Sequence, residues 1–130
     1  MANRFELIPL YSGSSGNSIL VRVDGINILF DCGHNCKKIT SALQEVSTDP
    51  NDIKALFITH SHSDHISGVD VFVRKYNIPI YATAPTLREI NCRCSKPHDC
   101  SLDRALMSEQ VVFEGVEGEV KVTWCETPHD

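Results

Sequence analysis

Seven consecutive residues, Thr59-His60-Ser61-His62-Ser63-Asp64-His65, constrain this chain more than any other feature. Three imidazoles and one carboxylate fall within six positions, in a chain with six histidines in all. These are the ligands that Zn²⁺, Fe or Mn²⁺ take from a protein when thiolates are not used. Side chains alternate along an extended segment, so His60 and His62 point the same way and can reach one ion. Asp64 and His65 are adjacent and diverge, which suits a second ion beside the first. Two ions roughly 3.5–4 Å apart can activate a bridging water and clamp a leaving oxygen. The plain alternative is a solvated polar loop, but such loops rarely hold four candidate ligands and no lysine. The run is therefore read as a metal site of a hydrolase, with Asp64 helping to hold the attacking water.

The order of elements places this run at a strand end. Residues 5–10 read as a strand, followed by the turn Ser12-Gly13-Ser14-Ser15-Gly16-Asn17. Strands are expected at 18–23 and 26–30, joined by Asp24-Gly25, a two-residue hairpin signal. Ile39, Leu43 and Val46 have helical spacing over 36–46, and Pro50 ends that helix. The apolar run 53–59 reads as a strand buried on both faces, with the histidine loop directly after it. Ser67 or Asp70 is expected to cap a helix reaching about residue 76. A short strand at 79–82, a helix at 83–90 and late strands at 110–113 and 119–126 follow, with 91–101 irregular. The expected fold class is α/β in mixed α+β layers, a single domain whose ligands come from loops at strand ends. His129 lies just after the last strand and is a further candidate ligand for the ion of His60 and His62.

At 130 residues the chain suffices for one core. A net charge of −5 argues against a broadly basic nucleic-acid surface. It does not exclude a nucleic-acid substrate, because bound cations would reverse the field at the site. Basic residues gather locally at Lys37-Lys38 and Arg74-Lys75. No apolar run approaches the roughly 20 residues of a membrane span, and the first residues lack a signal-peptide pattern. A cytoplasmic protein with reduced cysteines is expected, and no membrane partner.

The histidine loop resembles the HxHxDH signature of the metallo-β-lactamase fold superfamily. Within it, the run from Ser12 to Ser18, then Leu29-Phe30-Asp31-Cys32-Gly33 and Lys37-Lys38-Ile39, resembles the YycJ/WalJ-type phosphodiesterases. Pro128-His129-Asp130 is similar to their next metal-ligand motif. The resemblance covers nearly the whole chain. It implies an αβ/βα sandwich with a two-metal site, Zn or Mn, and nuclease-like hydrolysis of phosphodiesters. Residue by residue it implies His60, His62 and His129 on one metal and Asp64 and His65 on the second. It implies Asp31 as a carboxylate behind the ligands that orients the loop, with Thr59 in the same supporting layer. The family continues for roughly as many residues again and adds a bridging carboxylate and another histidine. The chain is thus expected to be the N-terminal half of such a sandwich, with a complementary half or second copy completing it.

Other features carry weaker signals. The turn residues Ser14, Ser15, Gly16 and Asn17 could offer backbone N–H groups to a substrate phosphate, or simply connect two strands. Cys92, Cys94, His98 and Cys100 could form a structural Cys₃His zinc site, although their spacing is not a usual paired-knuckle pattern. Cys32 and Cys36 are read as structural, and Cys125 as a core cysteine of a strand. Three functions compete: a two-metal phosphodiesterase on nucleic acid, a thioesterase or lactonase on the same scaffold, and an inactive metal-binding fragment. The Ser/Gly turn favours the first, but a fold does not fix its substrate.

Overall fold

The computed structural model describes residues 5–93, 100–107 and 110–125. β1 (Phe5–Tyr11), β2 (Ser18–Val23) and β3 (Ile26–Phe30) form the expected antiparallel meander. Asp24 and Gly25 have φ of 49° and 78°, the paired left-handed residues whose twist suits a two-residue hairpin. Asn35 begins α1 (Cys36–Glu45), its side-chain oxygen accepting the Lys38 N–H at 2.9 Å. Ile39 and Leu43 bury the inner face of that helix. The turn Pro50–Asp52 then leads into β4 (Ile53–Phe57), which pairs parallel to β3. After β4 come α2 (Ser63–Ile66), α3 (Val69–Tyr76), β5 (Ile80–Ala82), α4 (Ala84–Arg93) and β6 (Asp103–Ala105). The hairpin β7 (Gln110–Glu114) and β8 (Glu119–Thr123) completes the described elements.

The main sheet runs in the order β1-β2-β3-β4-β5-β6, antiparallel in its first two pairings and parallel in the last three. One face packs against the helices through Leu20, Leu29, Leu56, Ile39, Leu43, Phe72 and Val73. The opposite face carries Ile26, Ile28, Ala55 and Phe57, and the β7–β8 hairpin covers it with Phe113. Phe57 stacks on Phe30 at 5.4 Å and on Tyr81 at 4.8 Å, and Phe113 meets Phe57 edge-on at 6.3 Å. The carboxylate of Asp24 holds the hairpin turn, accepting the N–H groups of Glu117 and Gly118 at 3.0 Å each. This is the mixed layered architecture that strands alternating with helices build.

Several boundaries differ from the sequence reading for identifiable reasons. β4 stops at Phe57, two residues early, because the chain turns toward Asp31 at Thr59. A single helical turn, α2, occupies the second half of the histidine run, anchored by buried Ile66. α3 is capped by neither Ser67 nor Asp70. Ser67 donates its hydroxyl to the Gly33 carbonyl at 2.6 Å, and Gly68 takes the cap position. A Cβ at Gly68 would overlap the carbonyl oxygen of His34, so only glycine fits there. β6 has no apolar alternation and is held by parallel pairing with β5. Cys125 is exposed beyond the end of β8 and is not a core residue.

Topology brings the marked residues to one edge of the sheet. β3, β4 and β5 are parallel, so their C-terminal ends lie together, and the antiparallel meander adds the end of β1 and the start of β2. The Ser/Gly turn, Asp31 and the histidine loop all project from that edge. Among the described residues no helix is long and apolar enough to cross a membrane.

Burial separates the cysteines. Cys32 and Cys36 are buried, while Cys92 and Cys125 are exposed. Burial, then the neighbouring Cys36, Asp31 and Asp70, pushes the Cys32 thiol far above its ordinary range. Since the thiolate is the reactive form, iodoacetamide at a pH of about 8 is expected to alkylate Cys92 and Cys125 in the native protein. Peptide mass spectrometry should find Cys32 and Cys36 modified only after denaturation. Rapid native labelling of Cys32 would contradict this packing.

Candidate metal centre

Asp31 follows β3 directly in the left-handed region, with φ of 65°, and its side chain is buried. One carboxylate oxygen accepts the Thr59 N–H at 2.8 Å. The other accepts the Thr59 hydroxyl at 2.7 Å and meets Nδ1 of His65 at 2.7 Å. An ionised carboxylate only accepts, so His65 donates from Nδ1 to Asp31, and in the neutral ring this leaves the lone pair on Nε2. The same logic passes through Thr59. Its single hydroxyl proton goes to Asp31, so His60 Nδ1, 2.8 Å from the Thr59 oxygen, must donate. In the neutral ring of His60 this likewise leaves the lone pair on Nε2. Imidazoles oriented in this way by groups behind them are prepared to ligate a metal.

The ring centroids of His60 and His65 are 4.5 Å apart, and those of His60 and His62 are 5.8 Å apart. Asp64 and His65 sit on consecutive positions of α2, with Asp64 Oδ2 only 3.6 Å from His65 Nε2. Two ligands of one tetrahedral ion, each about 2.0–2.2 Å from it, stand about 3.3–3.5 Å apart, so this pair fits a shared cation. Donor type and neighbourhood therefore suit a divalent ion. Among the described residues, no three His, Cys, Asp or Glu side chains already converge on one ion position. His129 lies outside the described residues, as do Cys94 and His98 of the candidate zinc cluster. Of that cluster, Cys92 is exposed on α4, and Cys100 begins the short turn Cys100–Leu102.

Main-chain bonds lace the loops together. Asn17 donates its N–H to the Asp64 carbonyl at 2.8 Å, Cys32 to the His65 carbonyl at 2.9 Å, and Gly33 to the Asn17 carbonyl at 2.9 Å. A Cβ on Gly33 would overlap the Asp64 carbonyl, and one on Gly16 would stand 2.6 Å from the His34 ring. Both glycines are there because backbones approach closely. Ser14 and Ser15 are exposed on the turn, whereas the Asn17 amide is engaged with Gly13 and Asp64. Sequence reasoning had no means to find that engagement, because nothing local marks residue 17 as a neighbour of residue 64.

Three imidazoles and a carboxylate thus stand together at the strand ends, with the buried Asp31 behind them. Residues 11–91 match the metallo-beta-lactamase superfamily, and the chain belongs to it. Exodeoxyribonuclease WalJ of Streptococcus pneumoniae serotype 2 is 48% identical over 82 residues, covering 63% of this chain and 30% of that protein. Exodeoxyribonuclease YycJ of Bacillus anthracis is 39% identical over 77 residues, covering 59% of this chain and 29% of that protein. The chain thus spans under a third of the length of these relatives. A solved structure of the chemotaxis sensor ODP, described as a peroxy diiron species, superposes with a TM-score of 0.68 at 19% identity. That match covers 90% of this chain and 47% of the sensor chain, and shows the shared fold.

Asp31→Asn tests the array without disturbing the backbone, since asparagine also tolerates positive φ. Its amide nitrogen would face either the Thr59 N–H or the two donors at Thr59 Oγ1 and His65 Nδ1. A loss of about 1.5–3 kcal/mol is expected in urea denaturation followed by circular dichroism. A loss below about 0.5 kcal/mol, typical of an unremarkable surface change, would contradict the arrangement.

Proposed function

We propose that the protein is a metal-dependent phosphodiesterase acting on nucleic acid. The observation that carries this reading is the Asp31–Thr59–His65 array, which orients the neighbouring rings of His60 and His65, the latter with Nε2 3.6 Å from Asp64 Oδ2. His60 and His62, with His129, are the ligands proposed for one divalent ion, zinc or manganese, and Asp64 and His65 for a second. Such ions, when bound, supply Lewis acidity at a phosphoryl oxygen and a nucleophilic water near neutral pH. The chain's own groups do the rest. Asp31 and Thr59 fix two tautomers, and Asp64 accepts a hydrogen bond that directs the attacking water. Ser14, Ser15 and Gly16 offer hydroxyls and backbone N–H groups to a phosphate oxygen.

The nucleic-acid assignment rests on the relatives named exodeoxyribonucleases and on local charge. Lys37 and Lys38 are exposed in the first turn of α1, and the Tyr11 hydroxyl donates to the Lys38 carbonyl at 3.2 Å, joining that turn to the end of β1. Both lysines therefore stand on the site's side of the sheet, where a phosphate backbone would pass. A cytoplasmic location and completion of the sandwich by a complementary half or second copy belong to the same proposal.

Release of nucleotides from end-labelled DNA in the presence of MnCl₂ is the direct test. Cleavage is expected, abolished by EDTA and reduced about 100-fold or more in Asp64→Ala. Cleavage indifferent to both would refute the reading. Hydrolysis of a thioester or lactone with DNA left intact would favour the other hydrolase chemistries.

A further inference from the structure

The Asn17 side chain has its hydrogen-bonding groups committed within the site. Its oxygen accepts the Gly13 N–H at 3.1 Å, and its nitrogen donates to the Gly13 carbonyl at 2.8 Å. Because a main-chain N–H only donates and a carbonyl only accepts, these two bonds fix which end of the amide is nitrogen. The same nitrogen lies 3.1 Å from Asp64 Oδ2 and 3.2 Å from the Asp64 carbonyl. Two protons thus serve three acceptors, and the two on Asp64 share one. The Asn17 N–H adds a third bond to Asp64, at 2.8 Å to its carbonyl.

Asp64 needs such restraint. It sits in a one-turn helix whose cap residue, His62, makes no side-chain bond to the helix, so little within α2 sets the aspartate's direction. A carboxylate turned toward Nε2 of His65 must keep one oxygen there and have the other groups around it satisfied. An amide that donates to Oδ2 achieves this without adding charge, where a lysine or arginine would compete with a cation for the carboxylate. We infer that Asn17 is a positioning residue for Asp64: its amide, clamped by the Ser/Gly turn, holds the Asp64 carboxylate in the orientation that metal binding requires. The inference rests on the metal-site reading and gives the Ser/Gly turn two tasks, with Ser14 and Ser15 facing outward and Asn17 facing in.

A double-mutant cycle in manganese affinity tests it, using the 130-residue chain and electron paramagnetic resonance titration with MnCl₂. Asn17→Ala is expected to weaken binding about tenfold or more, as loss of an oriented outer partner does. Ile39→Val, a core change on α1, should leave the affinity unaltered and controls for general destabilisation. In the Asp64→Ala background, adding Asn17→Ala should cost no more than about twofold. An Asn17→Ala affinity equal to wild type, or a full repeat of its loss on Asp64→Ala, overturns the inference. If the wild-type chain binds no manganese or zinc, the metal-site reading fails first and the inference falls with it.

A metal-free measurement needs no change at Asn17. In the ¹H–¹⁵N spectrum, Asp64→Ala should shift the Asn17 side-chain amide pair and speed its exchange with water. An unaltered pair would equally overturn the inference.

Discussion

The Asp31 carboxylate accepts bonds from donors 28 and 34 residues away in sequence, at Thr59 and His65. Buried at the end of β3, it would be costly as an unpaired charge, and the histidine loop is the set of donors that satisfies it. The consequence runs in both directions. The loop gains a fixed geometry after β4 has ended, and the positive φ of Asp31 is held by the bonds its side chain makes. The Ser18 hydroxyl adds a buried bond to the Asp31 carbonyl at 2.8 Å, so the start of β2 is tied to the same residue. A positive φ is tolerated when the surroundings over-determine it, and here five bonds do so, the fifth from the Asp31 N–H to the Phe57 carbonyl at 2.8 Å.

Outward from that point the structure is a set of close backbone approaches. The segments at residues 16–17, 31–34 and 64–68 exchange main-chain hydrogen bonds, and Gly16, Gly33 and Gly68 each stand where a side chain would collide with a neighbour. The sheet makes this convergence possible because the parallel strands β3 and β4 end side by side. The second face of the sheet is organised separately, around Phe57 and the β7–β8 hairpin that Asp24 tethers. On the same face Phe5 and Leu7 of β1 stand exposed.

Much of this was legible in the sequence because local physics dictates it. The Asp24-Gly25 hairpin, the helical spacing of Ile39 and Leu43, and the apolar run of β4 follow from turn chemistry and periodicity alone. The density of histidines marked the loop after β4, and the resemblance pointed to Asp31, which the structure brings against Thr59 and His65 of that loop. What stayed hidden depends on tertiary contact. α2 is too short to show a period, and β6 is a polar strand made only by its pairing. Cys125 belonged to a strand pattern that stops two residues earlier. Asn17 looked like a turn residue, and its bond to Asp64 spans 47 positions that no local rule connects.

Asp31, directly and through Thr59, sets the proton positions of His65 and His60 before any metal arrives. Long-range ¹H–¹⁵N correlation of the metal-free protein at a pH of about 8.5, above the ordinary histidine range, reads those positions directly. Both rings are expected as the Nδ1–H tautomer, with Nε2 carrying the lone pair. An Nε2–H tautomer at His65 would mean that Asp31 does not set the proton of that ring.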